Sequence, residues 1–259
     1  YWDMYDPADV TLPASFAKSD LPPVRAMRDA LANGSDPRDN QSPFAVTEDE
    51  ARAIIALTYG MITMIDDAVG RVFARLEALD LAEDTVVIFT SDHGDYMGDH
   101  GLMLKLLLHY QSIIRVPFIW RDPGQAAAGV AEPSLASSID IASTILARAG
   151  VQGFNGMQGR DLFADPPPEA IIVEEDSQRS MIGFERPQRV RTIVTARHRM
   201  SLREGEDWSE LYDLAADPHE MRNLYDDPAA ADMRRDVTEA MLRRMIQLQD
   251  RAPLPAYRA

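Results

Sequence analysis

Cysteine is absent from the 259 residues, which excludes disulfides and thiolate-ligated zinc. Basic residues are scarce. Against 42 Asp and Glu there are 26 Lys and Arg, a formal charge of -16. A nucleic-acid-binding surface needs a positive face to displace counterions and does not fit that balance. A small anionic substrate does fit, because local charge decides its binding. No apolar run approaches the roughly 20 residues that span a bilayer, so no membrane partner is expected. No signal peptide is visible, and the chain opens Tyr1-Trp2-Asp3 without a methionine. An excerpt or a processed product is the expectation. What the chain does have is an apolar share of 46%, enough core for one large domain or a large and a small one.

Residues 1–46 are rich in Pro, Asp, Asn and Ser, and six prolines interrupt any regular element. They read as an irregular excursion with one short helical turn near Arg25–Ala32. Thr47-Glu48-Asp49-Glu50 is a capping box. After it, Ile54, Leu57, Met61, Ile65, Val69, Val72, Leu76 and Leu79 form a helical stripe that predicts one long helix ending near Leu79–Asp80. Thr85–Ser91 reads as a buried strand, 92–114 as a long loop with room for a helical turn, and Val116–Trp120 as a second strand. Ser137 or Ser138 is placed to cap a helix that stops at Gly150, and Ala170–Val173 is a third strand. Strand and helix in alternation predict a mostly parallel sheet covered by helices, an α/β fold over 47–178. From 179 to 259 the texture changes. Met181–Phe184, Arg191–Thr195, Arg199–Leu202 and Leu211–Leu214 predict a small antiparallel sheet. An amphipathic helix over about 229–248 follows, its methionines read as core packing.

The chemistry concentrates where the first core strand ends, in Ser91-Asp92-His93-Gly94. Ligands in open α/β sheets bind beyond strand C-termini, and a carboxylate beside an imidazole offers a divalent metal one oxygen and one nitrogen. A plain strand-end turn, with Asp92 capping the loop, explains the same residues. Lys105 follows, a compact cation suited to a tetrahedral oxyanion; its apolar neighbours on both sides count against a solvated lysine. His100 and His109 lie in the same segment, to line a pocket or to buttress a ligand, or as satisfied structural histidines. His198 and His219 read as structural. Asp66-Asp67 sits inside the long helix, where consecutive side chains diverge by about 100°, and reads as a surface and packing pair.

Around these residues the chain resembles the sulfatase family of the alkaline-phosphatase superfamily. The likeness runs through 85–123, with TVVIFTSDHGDYMGDHGLMLK and then IIRVPFIWRDPG, and includes the preceding Ile65–Arg71. Ser138–Thr144 resembles the family's D-x-x-P-T helix with Ser143 in place of proline. Glu210–Leu214, Asp217-Pro218 and Asn223-Leu224 resemble its C-terminal signature. The likeness covers roughly 47–228. It implies an alkaline-phosphatase-like fold followed by a small antiparallel α+β subdomain. It further implies hydrolysis of a small anionic sulfate ester, with Asp92 and His93 on one divalent cation, Ca²⁺ first and Mn²⁺ or Mg²⁺ as alternatives. Lys105 would bind the sulfate, with His109 as a catalytic neighbour and His100 as a substrate contact.

The family's nucleophile, a formylglycine made from Cys or Ser in C-x-P-x-R or S-x-P-x-R, has no counterpart among these residues. The resemblance therefore implies a missing N-terminal half as partner and an inactive isolated chain. The same motifs fit a phosphonate monoester or phosphodiester hydrolase, and the absent nucleophile fits a non-catalytic module. A homo-oligomer is compatible with all three, and the compartment stays open between bacterial cytoplasm and periplasm.

Overall fold

The structure, a computed structural model, describes residues 1–249 except 17, 37, 39–41, 125–128, 130 and 181. Contacts divide the chain into two compact units. One comprises Tyr1–Ala131, Ser177–Gln188 and His219–Met221, the other Glu132–Asp176, Arg189–Pro218 and Arg222–Ala259.

In the first unit, α1 (Pro22–Asn33) is longer than the helical turn expected. It starts on two prolines and ends at Gly34 in the left-handed region. Proline tolerates the first helical turn because its missing N–H has no acceptor there. Strand β1 (Phe44–Ala45) precedes α2 (Glu48–Ala78). The capping box forms: Glu50 N–H donates to Thr47 Oγ1 and Thr47 N–H to Glu50 Oε2. The Arg38 guanidinium and the Thr47 amide and hydroxyl hold the Glu50 carboxyl down at about 2. The first turns of α2 are buried through Ala51, Ile55 and Ala56, packed with Val10, Val46 and Met103 in small core clusters. Further along, the stripe expected to face a core is open. Met61, Ile65 and Leu79 are exposed, and Val72 is 59% exposed. By length and composition alone α2 could cross a membrane, contrary to the reading that nothing here approaches that length. Asp66, Asp67, Arg71 and Arg75 interrupt the apolar stripe. Asp66 and Asp67 are both exposed, and Asp67 accepts from the Tyr1 phenol.

Strand β2 (Val87–Thr90) carries the chain to Asp92. Expected to be buried, it is only half covered, with Phe89 and Thr90 exposed. The long loop returns through a single 3-10 turn (Asp99–Gly101), β3 (Leu102–Met103), which pairs with β1, and α3 (Gln111–Ile114). Strand β4 (Phe118–Arg121) then lies antiparallel beside β2, Thr90 opposite Phe118 and Val87 opposite Arg121. Every strand pair among the described residues is antiparallel. A parallel neighbour needs a crossover connection, usually helical, and the loop between β2 and β4 supplies only the short α3. Strand β2 has β4 as its one described neighbour, which is why its apolar side chains stay half open. Ile182–Phe184, the described part of a run expected to be a strand, is not one. Gly183 takes φ 82° and lies so close to Pro23 that a Cβ would fall on that residue's Cα.

The second unit begins with α4 (Ile139–Arg148), which Gly150 terminates at φ 68°. Ser138 does not cap it with its side chain. Asp140 instead accepts from the amides of Ser137 and Arg160 and draws the following loop onto the helix. The antiparallel sheet has four strands, β5 (Ala170–Asp176), β6 (Arg189–Thr195), β7 (His198–Arg203) and β8 (Glu210–Asp213), in simple meander order. Helix α5 (Ala231–Gln247) covers one face, placing Val237 and Met241 against Ala170, Ile193, Met200 and Leu211. The methionine stripe is core packing.

Inside this sheet, Glu210 is wholly buried between two arginines. Its oxygens lie 2.9 Å from Arg199 Nη2 and 2.6 Å from Arg203 Nη2. Arg199 also donates to Ser201 Oγ, which pairs with Thr192 Oγ1. Burial alone would raise the Glu210 carboxyl, but the guanidiniums of Arg203 and Arg199 hold it well below the usual carboxylate range. The Asn-Leu pair downstream is also structural. Asn223 Oδ1 accepts from the Leu211 amide, and its Nδ2 donates to the Ser209 carbonyl.

Candidate functional site

The end of β2 brings three of the residues singled out in the sequence into direct contact. The Lys105 ammonium lies 2.5 Å from His93 Nε2, and Asp92 Oδ2 is 3.3 Å from the same nitrogen. The other ring nitrogen, Nδ1, is 2.8 Å from the Gly94 carbonyl oxygen. A carbonyl only accepts, so Nδ1 carries the proton and Nε2 presents its lone pair, now toward Lys105. Asp92 is exposed, and its carboxyl is lowered by the His93 backbone N–H it accepts from, at 3.0 Å.

Gly94 and Asp95 complete the anchoring; the sequence marks Gly94 at the strand end without a role and gives Asp95 none. Gly94 N–H donates to the Ile113 carbonyl at 2.8 Å. A Cβ at Gly94 would fall on the carbonyl oxygen of Ser112, so only glycine lets the strand end lie this close to α3. Asp95, half-buried, accepts from the Met97 amide. Burial raises its carboxyl, against the opposing pull of the Met97 and Leu104 amides and the nearby His93 and Lys105.

Lys105 itself sits in an unusual backbone. Leu104, Leu106 and Leu107 have φ of 64°, 113° and 62°, a region that costs a branched L-residue of order 1–3 kcal/mol and persists only where its surroundings enforce it. Tyr96 is one such surrounding. Its N–H donates to the Leu104 carbonyl at 2.8 Å, and its phenol donates to the Leu106 carbonyl at 2.5 Å.

His100 and His109 are placed differently. Both lie in the interior, 1% and 2% exposed. The His100 ring stacks on Tyr110 with centroids 3.7 Å apart, and its amide donates to Ser15 Oγ. The His100 ring thus packs within the loop that carries Lys105.

As a metal centre the doublet supplies a fraction of a coordination shell. A hard divalent cation takes about six to eight oxygens as Ca²⁺. Among the described residues no group of three or more His, Cys, Asp or Glu side chains converges to hold one. One exposed carboxylate and one imidazole suit two positions of such a shell and leave the rest to other donors, provided a cation displaces the Lys105 ammonium from His93 Nε2.

The chain has the fold of the alkaline-phosphatase superfamily, with solved structures of which it superposes along nearly its whole length. The chain belongs to the sulfatase family of that superfamily. The Sulfatase family profile matches residues 30–151, and the profile for the C-terminal region of N-sulphoglucosamine sulphohydrolase matches 98–249. The multifunctional alkaline phosphatase superfamily protein PehA of Trinickia caryophylli is 34% identical over 84% of this chain and 45% of its own length. The uncharacterized sulfatase YidJ of Escherichia coli K12 is 36% identical over 74% of this chain and 38% of its own. Among solved structures, the phosphonate monoester hydrolase of Silicibacter pomeroyi superposes with a TM-score of 0.79 at 26% identity, covering 96% of this chain and 53% of that one. The chain thus spans about half the length, or less, of these relatives.

Proposed function

We propose that this chain is the C-terminal portion of a hydrolase that cleaves sulfate esters of small anionic substrates. Asp92 and His93 hold part of the shell of one divalent cation, and Lys105 meets the tetrahedral group. The nucleophile, a formylglycine, and the remaining ligands come from residues outside this chain. The observation that carries the reading is the convergence of Asp92, His93 and Lys105 at the end of β2, with Asp92 Oδ2 3.3 Å and the Lys105 ammonium 2.5 Å from His93 Nε2; a bound cation would take the nitrogen that Lys105 contacts here. Bound there, a divalent cation would supply Lewis-acid polarisation and charge neutralisation. Lys105 would balance charge that develops on the ester oxygens, and preorganised charge of this kind is usually the largest catalytic contribution.

The open apolar side of α2 together with exposed Phe89, Phe118 and Ile119 on β2 and β4 supports a further segment of the same enzyme packing there. By itself the chain is proposed to be inactive.

Expression of the complete reading frame, assayed on paired aryl sulfate and aryl phosphonate esters, tests this. Lys105→Ala should lower kcat by about 100- to 1000-fold, the usual loss for one such donor, and Asp92→Ala should lower metal content in elemental analysis. Wild-type turnover in the Lys105 variant would remove it from the substrate contacts. The second reading, a phosphonate monoester hydrolase, is favoured by the likeness to the Silicibacter pomeroyi enzyme; a higher kcat/KM on the phosphonate than on the sulfate would establish it.

A further inference from the structure

We infer that Tyr96 is the positioning residue for Lys105, holding the lysine's backbone in a shape that three leucines would not keep by themselves. The inference rests on the reading of Lys105 as the group that meets the ester. The side chain of Tyr96 is 1% exposed, and its polar atoms bracket Lys105 on both sides. Upstream, its N–H holds the Leu104 carbonyl at 2.8 Å. Downstream, its phenol donates to the Leu106 carbonyl at 2.5 Å and accepts from the Leu108 amide at 3.3 Å. Between these anchors the Leu108 amide also reaches the Leu106 carbonyl at 2.8 Å, a three-residue turn centred on Leu107 with φ 62°. Turns of this kind with positive φ at the centre are rare and strained. Leucine leaves the left-handed region unless something holds it, because its Cβ crowds the neighbouring carbonyl. The phenol oxygen is the side-chain atom placed to do so here.

The Tyr96 ring has a separate task, an edge contact with Tyr110 at 6.4 Å between centroids. Tyr96→Phe therefore keeps the packing and removes one oxygen. Without it the 104–107 backbone can relax toward ordinary φ values, and the ammonium moves with it. A misplacement of about 1 Å can cost about 100-fold in rate.

The experiment is a double-mutant cycle in the complete enzyme on an aryl sulfate and an aryl phosphonate, with kcat, KM and Tm measured for wild type, Tyr96→Phe, Lys105→Ala and the double variant. Tyr96→Phe should lower kcat by about 10- to 100-fold with KM changed less than about threefold. In the Lys105→Ala background the same substitution should cost less than about twofold, because residues that act through one contact are not additive. Adding Leu106→Gly to Tyr96→Phe should recover at least about a third of the lost kcat, since glycine keeps φ 113° without a clamp. The inference is overturned if Tyr96→Phe turns over like wild type, if it loses the same factor in both backgrounds, or if the variant is unfolded at the assay temperature, because the phenol would then hold the fold and not the lysine. A Lys105→Ala enzyme with wild-type turnover would instead bring down the reading of Lys105 itself, whatever Tyr96 does.

Discussion

The antiparallel sheet of β5–β8 and the β2–β4 pair with α2 belong to one chain and solve burial in opposite ways. The four-stranded sheet lies under its own helix and encloses an ionic triad in which each charge has a partner. The β2–β4 pair has two strands, and the helix before it turns an apolar stripe outward. A region that buries even its charges is energetically self-contained. A region that leaves Val72 and Ile119 each 59% exposed has the sequence of a core without the neighbours that would make it one. The candidate site stands at the end of the open region, where further ligands can be brought to it.

The sharpest break in that comparison is Glu210→Gln. It leaves two buried guanidiniums facing a neutral amide, and breaking a buried pair of this kind costs about 3–5 kcal/mol; urea unfolding of the chain should show the loss, and a loss under 1 kcal/mol would mean the sheet is not held by its triad. Acid sharpens the same point. The Glu210 carboxyl is depressed when folded, so its contribution is fully present above the unfolded value of about 4.3 and is lost as pH falls below it toward the folded value. Stability followed by circular dichroism should therefore decline below about pH 4, and Glu210→Gln should flatten that decline.

Gly94→Ala comes next. The new Cβ falls on the Ser112 carbonyl oxygen, and overpacking of this sort costs about 1–3 kcal/mol, readable as a lower Tm. Thr47→Ala removes the cap of α2 and should cost about 1 kcal/mol. Smallest of all, Ile65→Glu on the exposed stripe should change the stability of this chain by no more than about 0.5 kcal/mol. The same substitution in the complete enzyme should impair folding, measured as soluble yield. Equal tolerance in both would mean that nothing packs on α2.

How much of this was legible follows the range of each interaction. The capping box of α2 and the stop at Gly150 are written within a few residues, and both formed where the sequence placed them. The strands of the small sheet were read from β-prone runs and turn signals, and they pair as a meander. Burial of β2 and of the α2 stripe was read from apolar pattern alone, which says what a face can bury and not whether a partner is there. Asp92, His93 and Lys105 were found because a carboxylate, an imidazole and a lysine in such a setting are conspicuous. Gly94 was named without a role, and Tyr96 was passed over, because their work is done on backbone atoms of Ser112, Leu106 and Leu108, contacts no local pattern encodes. The triad was missed for a related reason: Arg199, Ser201 and Arg203 alternate like a solvated strand face, and Glu210 from the adjacent strand, with the Tyr212 and Trp208 rings over the two guanidiniums, makes that face an interior.

That triad also sets how the gene can drift. Replacing Glu210 singly leaves two guanidiniums without their anion in the protein interior, whereas replacing one arginine still leaves a one-to-one pair, so the one-step paths through these codons are unequal. Among relatives of this chain Glu210 should change only where both arginines have already gone, while either arginine can change with Glu210 kept.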